Sequence, residues 1–167
     1  MWVDGNPDFI KSISNYLGGE HLPKLMVRQL FVDKENVRKL FDDIHAYYKI
    51  SEVDFFSLDI DGNDYHVMQS VLDYGVRPKM ICVEYNAKWG KHTQVKVSYD
   101  AGFVWSGDDY MGVALGAWLQ LFGPYGYTLV SCDMGGNNAF FVRNEYTHLF
   151  TIYSPAQLYQ PARYYLT

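Results

Sequence analysis

The order in which apolar segments change their period constrains the fold of this chain more than any other feature. MWVDG opens it with a short apolar piece ending at Asp4. LMVRQLFV (25–32), DFFSLDI (54–60), KMICVEYN (79–86), YTLVSCD (127–133) and NAFFVRN (138–144) follow as strand-like runs. Between them the apolar residues fall at helical spacing: Phe9, Ile10, Ile13 and Leu17, then Val37, Leu40, Phe41, Ile44 and Tyr48, then Met68, Val71 and Leu72. A fourth such stripe, Met111, Ala114, Leu115, Trp118 and Phe122, follows Asp108-Asp109. KMICVEYN is apolar almost throughout its middle, as a strand covered on both faces must be. The order β-α-β-α-β-α-β-loop-α-β-β predicts an α/β fold. The expected form is Rossmann-like, a mostly parallel sheet with helices on both faces and a C-terminal antiparallel strand pair.

Helix boundaries are marked by local chemistry. Asn6-Pro7 supplies a cap and a first-turn proline, and Gly18-Gly19 stops the first helix. Asp33 caps the second, Asn63 or Asp64 opens the third, and Asp108-Asp109 is expected to cap the fourth. The polar, aromatic-rich stretch from Ala87 to Gly107 has no period and reads as a loop.

A length of 167 residues fits one domain, expected over 1–146, with an irregular tail over 147–167. A net charge of −5 without a Lys/Arg cluster argues against nucleic acid or a membrane surface as partner. No apolar run approaches a membrane span and no secretory signal is visible, so a cytoplasmic protein is expected. Cys82 and Cys132 lie in apolar runs and read as reduced thiols, with no disulfide and no zinc site. The histidines His21, His45, His66, His92 and His148 form no metal-ligand pair at helical spacing.

In an open α/β sheet, ligands bind beyond the carboxyl ends of the strands. Those ends here carry Asp4, then Asp59 and Asp61, then Glu84 and Asn86. Asp59 and Asp61 are two apart, so an extended backbone turns both carboxylates to one side, where their repulsion calls for a cation, a donor or a substrate proton. Together Asp59, Asp61, Glu84 and Asn86 could hold a hard divalent cation such as magnesium through oxygen ligands. The plainer readings are an Asx turn at Asp61-Gly62-Asn63-Asp64 and a capping role for Asp4 beside Asn6. The glycine and glutamate spacing of an EF-hand is absent, as are a P-loop and a Gly-x-Ser-x-Gly elbow.

Two resemblances follow from these motifs. A strand running into Asp-x-Asp-Gly, with Asp108-Asp109 later, resembles the haloacid-dehalogenase-like phosphatases, in which Asp59 would be the nucleophile of a magnesium-dependent hydrolysis. Asn63 and the elements that precede the motif depart from that pattern. The fuller resemblance is to the FkbM-like branch of S-adenosylmethionine-dependent methyltransferases. WVDGNP, DFFSLDIDGNDYHV, ICVEYN, DDYMGVALGAW and GYTLVSCDMGGNNAFFVRN carry it across most of residues 2–144.

The resemblance implies O-methyl transfer to a small molecule or sugar. Asp4 and Asp33 would bind the cofactor, Asp59 and Asp61 would be catalytic or metal-ligating, and Glu84 and Asn86 would face the acceptor. It also implies a strand and glycine-rich turn ahead of WVDGNP, which this sequence lacks. The expected consequence is a sheet open between the strands ending at Asp4 and Asp59, filled by an N-terminal segment or by another chain in a homo-oligomer. A non-catalytic remnant or assembly partner is the remaining alternative.

Overall fold

The computed structural model describes residues 1–17, 24–163 and 165; the expected stop at Gly18-Gly19, and His21, lie outside them. The chain is α/β, with its strands in two sheets. β1 (Trp2–Asp4) pairs in parallel with β2 (Val27–Gln29), and α1 (Pro7–Tyr16) makes the crossover. α2 (Val37–Tyr48) leads to the larger sheet, ordered β3-β4-β6-β5, where β3 is Phe55–Leu58, β4 Met80–Glu84, β5 Tyr127–Cys132 and β6 Asn138–Arg143. α3 (Asp64–Asp73) connects the parallel pair β3 and β4. α4 (Leu115–Phe122) precedes β5.

The expected mostly parallel sheet is met only in part, and the expected opening between the strands ending at Asp4 and Asp59 is present. The larger sheet is mixed, because β6 runs antiparallel to both β4 and β5. Parallel pairing needs a long crossover, and the turn at 133–137 allows only a hairpin between β5 and β6. That hairpin is the antiparallel pair read from the sequence. The smaller sheet stands apart: among the described residues β1 pairs only with β2, and β3 only with β4. Among the described residues, neither the 87–107 segment nor the tail supplies a strand between them.

Apolar surface follows the same division. α1 buries none of its residues, and Phe9, Tyr16, Trp2 and Phe31 are exposed. Phe55 on β3 is exposed as well. The main core lies instead between the larger sheet and α3 and α4, where Val67, Met68, Val71, Leu72, Ile81, Val83, Trp118, Phe122 and Phe141 are fully buried. α2 joins that core through Phe41, whose ring meets Phe56 edge to face at 5.5 Å.

Helix starts follow the sequence at α1 and α3 and depart from it elsewhere. Asn6 caps α1, accepting from the Asp8 N–H at 2.8 Å, and Asn63 precedes α3. Asp33 accepts from the N–H groups of Glu35 and Asn36, so it shapes a turn that ends where α2 begins at Val37. The helix expected from Asp108-Asp109 is corrected: α4 begins only at Leu115. Gly112 has φ +62°, a left-handed conformation incompatible with a continuous right-handed helix.

The tail past Thr147 carries one short helix, α5 (Pro155–Leu158), opened by a capping box between Ser154 and Gln157. It docks on the end of β4. The Tyr159 hydroxyl donates to the Ala87 carbonyl at 2.7 Å, and the Tyr85 hydroxyl donates to the Gln160 carbonyl at 2.8 Å. Cys82 is buried and Cys132 half-buried, both as free thiols. No described helix is long and apolar enough to cross a membrane.

Candidate functional site

The parallel pairing of β3 with β4 places Leu58 opposite Val83, so the chain beyond each strand emerges on the same edge. Asp59 and Asp61 follow β3, and Glu84 ends β4. One carboxylate oxygen from each of the three lies within 4.8 Å of the others. Solvent reaches Asp59 and Asp61, whereas Glu84 is buried and its Oε2 has no hydrogen-bond partner. Asp64, at the start of α3, lies beneath them and is completely buried. Its Oδ1 accepts from the Ile60 N–H at 2.9 Å, and its Oδ2 has no partner.

Four carboxyl groups thus share one region, and their acidities respond. Burial first, then the Asp59, Asp64 and Asp61 charges, push the Glu84 carboxyl up to about 9. Burial pushes Asp64 up to about 7 against the opposing pull of the Ile60 N–H, and the Asp59 charge adds to the rise. Asp59 is raised by loss of hydration and by Asp61, and Asp61 by loss of hydration. No Lys, Arg or His forms an ion pair with any of the four among the described residues. An uncompensated group of this kind is stabilised by protons or by a cation.

The backbone at the acidic turn is unusual too. Asp61 has φ +64°, a left-handed conformation that Asp tolerates better than most residues but still at some cost. Its carbonyl accepts from the Gly112 N–H at 3.1 Å.

Asn86 sits at the same strand end but is already engaged. Its side-chain oxygen accepts from the Lys88 N–H at 3.1 Å, and its amide donates to the carbonyls of Asp109 and Met111 at 3.0 and 3.1 Å. It ties the following loop to β4 and is not one of the three clustered carboxylates. Asp4 belongs to the smaller sheet; its Oδ1 accepts from the Asn6 N–H at 2.7 Å, the capping role weighed for it. Asp33 is likewise held in its turn. Asp108 accepts from Ser106 and from the Tyr110 N–H, and Asp109 pairs with Lys88. Neither joins the cluster, as a phosphatase-like second metal-binding pair would.

Three participants were not legible as site residues. Asp64 reads as a helix opener, and only its depth reveals it as a fourth carboxyl group. Phe103, from the stretch with no period, lies against Gly62, and Gly112, which reads as part of the fourth helix, lies against Glu84. Comparison with family models, with curated proteins and with solved structures finds no match in any of the three.

Proposed function

We propose that this chain forms the cation- and acceptor-binding part of an S-adenosylmethionine-dependent O-methyltransferase acting on a hydroxyl of a small molecule or sugar. The single observation that carries the reading is the convergence of Asp59, Asp61 and Glu84 at the carboxyl edge of a parallel strand pair. An all-oxygen donor set that includes one buried, unpartnered carboxylate oxygen, Glu84 Oε2, suits a hard divalent cation such as magnesium. When bound, such a cation lowers the pKa of an acceptor hydroxyl, and S-adenosylmethionine supplies the methyl group.

The chain's own residues do the rest. Asp59, Asp61 and Glu84 would hold the cation, and the free oxygen of Asp59 or Asp61 would orient the hydroxyl and take its proton. A carboxylate oxygen within reach of the acceptor hydroxyl is the group that a general base requires. Asp4 keeps one carboxylate oxygen for a cofactor ribose hydroxyl, because only Oδ1 is used by Asn6. The Rossmann-like sheet belongs to the same proposal: one further parallel strand between β1 and β3 would join the two sheets and cover Phe55.

Calorimetric titration with S-adenosylhomocysteine tests this reading. Ribose contacts alone leave the methionine end of the cofactor without the close backbone approach of a glycine-rich turn. The expected Kd for these residues is weaker than about 100 μM. Asp4→Ala is expected to remove the residual binding. Micromolar binding by a monodisperse monomer would contradict the open-sheet account, and no heat at millimolar ligand would remove the cofactor from the reading.

A further inference from the structure

Segment 95–113 runs from the loop after β4 toward α4 and is fastened at both ends. At its root, Lys96 and Val113 form an antiparallel bridge, and Ala114 N–H donates to the Val95 carbonyl at 2.8 Å. Asn86 holds the same root to β4 through its N–H to Val113 at 2.8 Å and its side-chain bonds to Asp109 and Met111. At the far end, the Asn63 amide donates to the Asp100 carbonyl at 2.7 Å, and the Asp100 N–H donates back to the Asn63 oxygen at 3.3 Å. Asn63 stands where a helix cap would, yet its side chain makes no cap bond and serves this junction instead.

Two glycines let the segment close on the acidic turn. A Cβ on Gly62 would lie 2.1 Å from the Phe103 ring, so the ring rests directly on the Gly62 backbone. A Cβ on Gly112 would lie 3.2 Å from Glu84 Oε2, and its φ of +62° disfavours any side chain. The Gly112 N–H also holds the carbonyl of left-handed Asp61.

We infer that segment 95–113 is the positioning element of the carboxylate cluster, with Phe103 and Gly112 keeping Asp61 and Glu84 in cation-ligating geometry. This rests on the cation reading of the site. The physical need is plain. Among the described residues no hydrogen bond fixes the Asp59 or Asp61 carboxylate, and like charges left to themselves move apart. Their convergence must come from the backbone, and the backbone of the acidic turn is held by this segment. A ligand set ordered before the cation arrives loses less entropy on binding, so supporting residues matter although they touch no ion.

The test uses manganese as the probe, with free ion counted by electron paramagnetic resonance on the full chain. Phe103→Ala is expected to weaken manganese binding about tenfold, and Gly112→Ala by about tenfold or more. Phe103→Leu, which keeps apolar bulk over Gly62, is expected to restore most of the affinity. The thermal midpoint of the metal-free Phe103→Ala protein should stay near that of the parent, which separates positioning from general loss of structure. If Gly112→Ala does not fold, the Phe103 pair decides alone. Parent-like affinity in Phe103→Ala would overturn the inference while leaving the cation site standing. Absence of manganese binding in the parent chain would instead overturn the cation reading on which it rests.

Discussion

Glu84→Gln is expected to make the metal-free protein more stable at pH 8 while removing its capacity to bind a divalent cation. The folded state raises the Glu84 carboxyl to about 9 and Asp64 to about 7. Unfolded, both would titrate near 4. Between those limits the folded chain holds protons that the unfolded chain releases, so stability falls as pH rises. The contribution is complete below the ordinary carboxylate range and is lost as pH passes through the raised values. Glutamine keeps the shape without the charge, so the loss no longer occurs at that position.

A gain of about 2 kcal/mol at pH 8 is expected, seen as a rise of about 5 °C in Tm. The decline of Tm between pH 5 and pH 9 should become shallower. Removing one of the three ligands should weaken manganese binding at least about 100-fold, beyond what supporting residues contribute. Chemical and thermal denaturation across pH, paired with metal titration, check both halves. A Glu84→Gln protein less stable than the parent at pH 8 would mean that Glu84 has a charge partner the structure does not contain.

Trp118→Ala should carry the largest stability cost in the chain. The indole is completely buried, lies near-parallel to Phe122 at a centroid distance of 5.4 Å and stacks on Tyr65 at 6.0 Å. Its Nε1–H donates to the Glu84 carbonyl at 2.7 Å, tying α4 to the strand end that carries the site. Truncation opens a cavity and leaves a buried carbonyl without its donor, at a cost of about 3–5 kcal/mol. For a domain of this size that corresponds to a fall of about 10 °C in Tm. Trp118→Phe refills most of the space but not the hydrogen bond, and should cost less than half as much. Urea unfolding gives the numbers. An alanine variant within 1 kcal/mol of the parent would contradict the assignment of Trp118 to the core.

At α3 and at the start of α1 the sequence and the structure agree. The helical stripe Met68, Val71 and Leu72 is buried as its spacing requires, and Asn6 caps α1. Asp59, Asp61 and Glu84 could be brought together on paper because strand direction places carboxyl ends on one edge. What was not legible depends on long-range contacts that leave no local mark. The antiparallel insertion of β6 between β4 and β5 is set by pairing, not by the composition of NAFFVRN. The helix expected at Asp108 fails at Gly112, whose side-chain-free backbone faces Glu84. The depth of Asp64 and the contact of Phe103 with Gly62 arise only once segment 95–113 has folded over the turn. Asp4 illustrates the reverse case, in which the local cap reading accounts for the one hydrogen bond its side chain accepts.

The most direct test of the account is a manganese titration of the parent chain at pH 8, followed by electron paramagnetic resonance and competed with magnesium. One sub-millimolar site per chain is predicted. Its affinity should fall as pH drops, because the carboxyl groups must release protons to bind, and it should disappear in Asp59→Asn and Asp61→Asn. No bound manganese at millimolar ion, or binding unchanged by those substitutions, would contradict it.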